Sequence, residues 1–82
     1  MRLFNKLISQ IKNMNKMLAI AVGRRILKVR KAKSLSQDKL AILAKVDRSY
    51  IGRIERGEVN ITLEKLYMIA EALGSDPKEL LP

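Results

Sequence analysis

The chain has 82 residues, enough for one small domain with a modest core, so a second subunit is an expected source of further stability. Seventeen basic residues stand against eight acidic ones, and the net charge of +9 indicates a polyanionic partner, most often nucleic acid and less often an anionic membrane. Cysteine and histidine are absent and no G-x-S-x-G or phosphate-loop motif occurs, which excludes disulfides and zinc–thiolate sites and predicts no enzyme, metal or cofactor.

Residues 1–17 form a basic amphipathic segment, which we treat as an extension of a domain at 18–82. Its apolar positions recur three and four residues apart, with lysine and asparagine opposite, and are Phe4, Leu7, Ile11, Met14 and Leu18. The segment is expected to be a helix that packs on the domain or on a second subunit, a frayed extension, or a helix on a membrane surface. Its polar interruptions exclude a secretory signal and a transmembrane helix, which needs about 20 apolar residues.

A first core helix is predicted from about Leu18 to Lys33, and two short helices joined by a tight turn follow between Ser36 and Gly57. Ser36 and Asp47 are suitable N-caps for the two short helices, and Gly57 is suited to end the second. The apolar positions of the pair are Leu40, Ala41, Ala44, Ile51 and Ile54. The opposite face of the second helix carries residues that donate hydrogen bonds or permit close approach, namely Arg48, Ser49, Gly52, Arg53 and Arg56. This face is suited to phosphates and base edges.

The remainder of the chain is also predicted to be helical. Thr62 caps a helix that ends before Gly74, and the sequence Asp76-Pro77-Lys78-Glu79 is a start signal for a last short turn. Period-two alternation and internal repeats are missing from the sequence. The predicted fold is therefore all-α, with about five helices and an extra N-terminal amphipathic helix.

Two segments carry a resemblance to a known family. L-S-Q-D-K-L-A at 35–41 and I-x-x-I-E-R-G at 51–57 resemble the Cro and lambda-repressor type of helix-turn-helix protein, and 48–62 is similar to the controller proteins of bacterial restriction-modification systems. The resemblance implies a lambda-repressor-like domain and a dimeric, sequence-specific DNA-binding regulator of transcription that is expected to control its own gene. A phage or mobile-element repressor or an antitoxin is the alternative with the same fold. A non-specific nucleoid or membrane-surface protein is the alternative from another class.

The resemblance also implies roles for individual residues on double-stranded DNA. The base-reading positions are Arg48, Ser49 and Arg53. The positions that contact the DNA backbone are Gln37, Lys45, Tyr50, Arg56 and Asn60. Lys45 stands where the family usually has a glycine in the left-handed conformation, and Val59 stands where controller proteins tend to have a basic residue.

Further expectations concern the surroundings of this site, its partners and its location. The resemblance implies an ion pair between Arg30 and Glu55 and dimerisation through Leu80 and Leu81, so that the DNA partner is a palindromic operator. No membrane or small-molecule partner is expected, and the location is cytoplasmic, on the nucleoid. The extension is expected to fold back on its own domain near Ile42 and Leu43, which otherwise lack a neighbour.

Overall fold

The structure is a computed structural model and describes residues 2–82. Within that range the chain forms four α-helices and one 3-10 turn. They are α1 (Arg2–Ala32), α2 (Gln37–Ala44), α3 (Arg48–Glu55), α4 (Leu63–Leu73) and the 3-10 turn Pro77–Leu80. The described residues contain no strand, as the all-α prediction requires.

The prediction of five helices and an extra N-terminal helix is wrong in two places, since the described residues form four helices and a 3-10 turn. The extension and the first core helix are one continuous helix of 31 residues, because neither proline nor a capping signal separates them at residue 17. The final segment after Asp76 has only four residues and forms a 3-10 turn, which is the usual geometry for so short a piece.

The predicted caps lie at the helix starts. The Ser36 hydroxyl accepts a hydrogen bond from the Lys39 amide at 3.0 Å, and the Thr62 hydroxyl accepts one from the Lys65 amide at 3.2 Å. Asp47 occupies the N-cap position of α3 with an extended backbone, but its carboxylate accepts no capping hydrogen bond. The start of α3 therefore keeps backbone N–H groups that a helix N-terminus can offer to an anion.

The turn between α2 and α3 depends on Lys45. Its backbone lies in the left-handed region, at φ 59° and ψ 43°, and its amide donates to carbonyl oxygens at the end of α2. A side chain in this conformation costs on the order of 1 kcal/mol. The turn nevertheless places α3 across α2, with both helices contributing to one core.

All four helices and the 3-10 turn contribute to the core. Its fully buried large side chains are Ile26, Leu40, Ile51, Ile54, Ile69, Leu73 and Leu80. The presence of Leu80 in this set corrects the expectation that it lies on a dimer surface, because its side chain is 0% exposed within its own chain. Leu81, the other predicted interface residue, is 43% exposed.

The N-terminal half of α1 projects from this core. The molecule is 48 Å long but only 23 and 19 Å across, and α1 alone accounts for about 46 Å at 1.5 Å per residue. The expected fold-back is therefore wrong, and Ile42 and Leu43 remain 70% and 45% exposed. Although α1 is long, no helix within residues 2–82 is long and apolar enough to cross a membrane.

Candidate nucleic-acid interface

The position of α3 is set by a close crossing with α1. A Cβ added to Gly23 would collide with the carbonyl oxygen of Ile54 and lie 3.1 Å from that of Glu55. At the end of α3, Gly57 has φ 73°, and a Cβ there would lie 2.6 Å from Cγ1 of Ile20. Two glycines thus let the backbones of the two helices meet. Gly23 is not among the residues predicted from the sequence, although a glycine inside a predicted helix indicates a packing role.

A buried ion pair joins the same two helices. Arg30 donates from Nε to Oε2 of Glu55 at 2.6 Å and from Nη2 to Oε1 at 2.9 Å, and its Nη1 donates to the Leu35 carbonyl oxygen at 2.9 Å. The two side chains are only 10% and 1% exposed. The hydrogen bond to Glu55 raises the pKa of the Arg30 guanidinium, against the opposing effect of desolvation. A two-bond pair of this kind fixes the angle between α1 and α3.

Gln37 extends this ion pair to α2. Its Nε2 donates to Oε1 of Glu55 at 2.9 Å, so one carboxylate joins the start of α2, the end of α3 and the C-terminal half of α1. The side chains of Gln37 and Arg56 also cover Gly52, which is buried. Among the described residues, no buried polar side-chain atom lacks a hydrogen-bond partner. The exposed residues of α3 are therefore held in place by neighbouring residues whose buried polar groups all have hydrogen-bond partners.

The exposed face of α3 carries the residues predicted to read bases. Arg48, Ser49 and Arg53 are all exposed. Arg48 Nε lies 3.0 Å from Oδ1 of Asp38, and both side chains are more than two-thirds exposed, so this pair contributes about 0 to 1 kcal/mol. An arginine held so weakly can exchange its carboxylate for another acceptor.

Arg53 and Tyr50 share the side of α3 that faces the turn. The Arg53 guanidinium lies 5.8 Å from the centre of the Tyr50 ring, within cation–π range. Both side chains line an open depression of about 570 Å³ together with Lys45 of the turn and Lys65 of α4. Lys65 is a cation that was not predicted as a DNA contact from the sequence, because only the tertiary structure brings α4 beside the turn.

The other two predicted backbone contacts lie at the opposite end of α3. Arg56 pairs with Glu58, which raises the pKa of the Arg56 guanidinium through a side-chain hydrogen bond. Arg56 and Asn60 border a second depression, of about 540 Å³, whose far wall carries Lys12 and Lys16 of α1. Positive side chains therefore flank α3 at both ends, which is the charge distribution that a DNA backbone requires on either side of a groove.

The short helix α3 exposes arginines near its N-terminus and is held across a second short helix, α2, by a left-handed turn. These features define a helix-turn-helix DNA-binding domain. The comparison with known families agrees with this class. The chain belongs to the helix-turn-helix family, whose model, described as "Helix-turn-helix", matches residues 26–80. Residues 1–25, with the whole projecting half of α1, lie outside the match.

Individual relatives refine the comparison. Control protein C.BamHI of Bacillus amyloliquefaciens is 40% identical over 65 residues, which are 78% of this chain and 80% of that protein. The crystal structure of the restriction-modification controller protein C.AhdI from Aeromonas hydrophila has a TM-score of 0.75 and 43% identity, covering 77% of this chain and 96% of that one. The immunity repressor protein of Bacillus phage phi105 is 44% identical over 55 residues, 67% of this chain and 38% of the repressor. This chain is thus a transcription regulator that resembles restriction-modification controller proteins.

Proposed function

We propose that the protein is a dimeric, sequence-specific regulator that binds a palindromic operator and controls its own gene, as a controller of a restriction-modification system. The observation that carries this proposal is the exposed face of α3, held in place by the buried network of Arg30, Glu55 and Gln37. The similarity to two controller proteins over most of their length supports the narrower assignment.

Base recognition is assigned to Arg48, Ser49 and Arg53. Arginine can donate two hydrogen bonds to O6 and N7 of guanine, and a serine hydroxyl can donate or accept. On binding, Arg48 would leave Asp38 for a base edge, at small cost because both side chains are exposed. Arg53, which lies beside the Tyr50 ring, would have its guanidinium plane oriented by that ring.

Backbone contacts are assigned to residues at both ends of α3. The residues of the sequence-based set are Gln37, Lys45, Tyr50, Arg56 and Asn60, and the structure leads us to add Lys65 beside Lys45. Gln37 would keep its Nε2 bond to Glu55, so its contact with a phosphate runs through the N-terminal end of α2. Contacts of this kind set the register on the duplex and carry no sequence information.

A two-fold dimer would present two copies of α3 about 34 Å apart, one DNA turn, which is why the operator is expected to be palindromic. Leu81, but not the buried Leu80, is available to a second subunit, and it lines an apolar groove with Leu18 and Leu63. We place this activity in the cytoplasm, on the nucleoid, with regulation through protein concentration.

Selection of binding sites from a random pool of duplex DNA tests the proposal. The full chain should enrich an inverted repeat whose half-site centres lie about 10 base pairs apart, and the same repeat should occur upstream of its own gene. Enrichment of no motif, together with binding that depends only on salt, would identify a sequence-blind DNA-coating protein and refute the proposal.

A repressor of a phage or another mobile element is the second candidate, because of the similarity to the phi105 immunity repressor. Both candidates would select an inverted repeat, so the genes beside the selected sites separate them. Sites in front of restriction and methyltransferase genes support a controller, and sites among prophage genes support the repressor.

A further inference from the structure

The projecting half of α1 carries an uncovered apolar stripe, which we define as Phe4, Leu7, Ile11, Met14 and Leu18. Each of these side chains is between 46% and 63% exposed, although all lie in a regular helix. The stripe begins 12 residues before Arg30 and extends to 26 residues before it, which is roughly 18 to 39 Å along the helix axis. It is therefore remote from the polar network that positions α3.

The spacing within the stripe is that of a two-helix coiled coil. Its residues follow one another at intervals of three and four, and so occupy the a and d positions of a seven-residue repeat for five successive layers. A helix with this pattern presents side chains that fit between those of an equivalent helix lying alongside. A second copy of the same stripe is therefore a partner with matching spacing.

The charges beside the stripe permit this pairing. The positions that flank a and d, called e and g, carry no charged residue and are Leu3, Ile8, Gln10, Asn15 and Met17. The basic residues of the segment lie at b, c and f, away from the stripe, and are Arg2, Lys6, Lys12 and Lys16. Two copies can thus approach along their stripes without bringing like charges face to face.

The area of the stripe indicates how far the contact must extend. A fully accessible aromatic side chain exposes roughly 150 to 250 Å² and the four non-aromatic ones less, so five that are about half exposed offer on the order of 400 Å². A stable interface buries about 800 Å² on each partner. The difference can come from an adjoining apolar groove of about 330 Å³, which shares Leu18 with the stripe and is also lined by Leu63 and Leu81.

We propose that a second copy of this chain covers the stripe, with the N-terminal halves of two α1 helices packed side by side and the interface continuing into the groove at Leu63 and Leu81. This inference rests on the dimer of the proposed function and names the surface that forms it. The stripe lies in residues 1–25, outside the family match, whereas Leu63 of the groove lies inside it, so the interface combines the N-terminal segment with the surface of the helix-turn-helix domain itself.

Engineered cysteines test the contact directly, since the chain has no native cysteine. Leu7→Cys and Leu18→Cys, a d and an a position, are made singly and mixed, and Ser9→Cys, on the opposite face, is the control. Helices packed in parallel should form a disulfide in each stripe variant alone, and antiparallel helices should form one only in the mixture, because the two Cα atoms must come within about 7 Å. Either pattern supports the inference. Absence of a disulfide in both single variants and in the mixture, or equal oxidation of Ser9→Cys and the stripe variants, would contradict it.

Sedimentation equilibrium of the full chain gives a second, independent measurement. Ile11→Lys should weaken dimerisation at least tenfold, whereas Ser9→Lys, which adds the same charge on the opposite face, should leave it unchanged. An Ile11→Lys dimer of undiminished affinity would place the interface elsewhere. A chain that stays monomeric but sediments with vesicles containing 30% phosphatidylglycerol would show that a membrane covers the stripe, and would overturn the inference.

Neither measurement uses DNA, so the two proposals can fail separately. Selection of an inverted repeat by a chain whose stripe variants still dimerise would refute only the interface assigned here. Cross-linked helices in a chain that selects no DNA motif would refute only the proposed function.

Discussion

The two halves of α1 share one helix and one amphipathic pattern but differ in what covers them. Ala19, Val22, Ile26 and Arg30 of the C-terminal half are buried against the rest of the domain, whereas the large apolar residues of the N-terminal half are exposed. The difference follows from the size of the domain, which is only 23 and 19 Å across and packs α3 and the 3-10 turn on the C-terminal half of a much longer helix. Ala19 and Gly23 let α3 approach that half closely. Periodicity thus predicts which face needs a cover, and the tertiary structure decides how much of that face its own domain covers.

The largest expected effect comes from removing the cation that joins the C-terminal half to α3. Arg30→Met should cost about 3 to 5 kcal/mol of unfolding free energy, because it leaves the Glu55 carboxylate buried without a partner. Lys6→Met, an equivalent change in the N-terminal half, should change it little. Urea denaturation measures both. Adding Glu55→Gln to Arg30→Met should recover part of the loss, and a coupling energy near zero would show that the pair contributes nothing jointly.

Two isoleucines in the same helix provide the most direct comparison. Ile26→Ala should cost about 2 to 5 kcal/mol, because Ile26 is 0% exposed and the core would keep a cavity. Ile11→Ala should change the unfolding free energy of the monomer by about 0.5 kcal/mol or less, as at other surface positions. Thermal or urea unfolding at concentrations below dimerisation tests this. Equal losses would mean that the N-terminal half packs on its own domain after all.

The crossing between α1 and α3 should tolerate no added methyl group. Gly23→Ala should cost about 1 to 3 kcal/mol, since the new Cβ meets the backbone of Ile54, which cannot move without shifting α3. Ser9→Ala in the projecting half is the control and should be neutral or slightly stabilising. Operator affinity should fall together with stability for Gly23→Ala. A variant that is more stable than the parent would show that the helices are not in contact at this point.

Substitutions of the exposed arginines should distinguish residues that recognise bases from residues that contribute only general affinity for DNA. Arg48→Ala or Arg53→Ala should each remove about 1 to 3 kcal/mol of discrimination at particular base pairs, whereas Arg56→Ala should weaken binding to all sequences alike. Competition binding with single-base operator variants distinguishes the two outcomes. Uniform losses for all three variants would mean that Arg48 and Arg53 contact only phosphates.

The smallest expected change comes from replacing a lysine by glycine, and its sign should differ between the turn and the helix α1. Lys45→Gly should stabilise the domain by about 0.5 to 1 kcal/mol, because glycine adopts the left-handed conformation without strain. Lys12→Gly, within the regular helix of the projecting half, should instead lower the helical circular dichroism signal. Unfolding and dichroism measurements on the same preparations check both signs. Loss of stability at Lys45→Gly would show that the lysine side chain has a structural contact of its own.

Much of the fold could be predicted from the sequence, because the ends of helices depend on residues that are close together in the chain. The caps at Ser36 and Thr62 and the left-handed residues at Lys45, Gly57 and Gly74 depend on neighbours a few positions away, so sequence patterns could locate the helix ends. The structure contains the predicted ion pair of Arg30 with Glu55. It could be predicted only from the resemblance to a known family, because 25 residues separate the two side chains. The prediction of separate helices before and after residue 17 is wrong, because no residue in that stretch stops a helix and α1 continues through it.

The sequence by itself determined the helical class, the positive charge and the arginine-bearing face of α3, because each depends on residue type and on spacing along a single helix. Only the tertiary structure decided that Leu80 lies inside the core, that Lys65 joins Lys45 beside α3, and that the extension continues α1 away from Ile42 and Leu43. These features depend on which surfaces approach one another in three dimensions. An apolar face has the same pattern whether it is covered by its own chain or left exposed, so only the packed structure distinguishes the two.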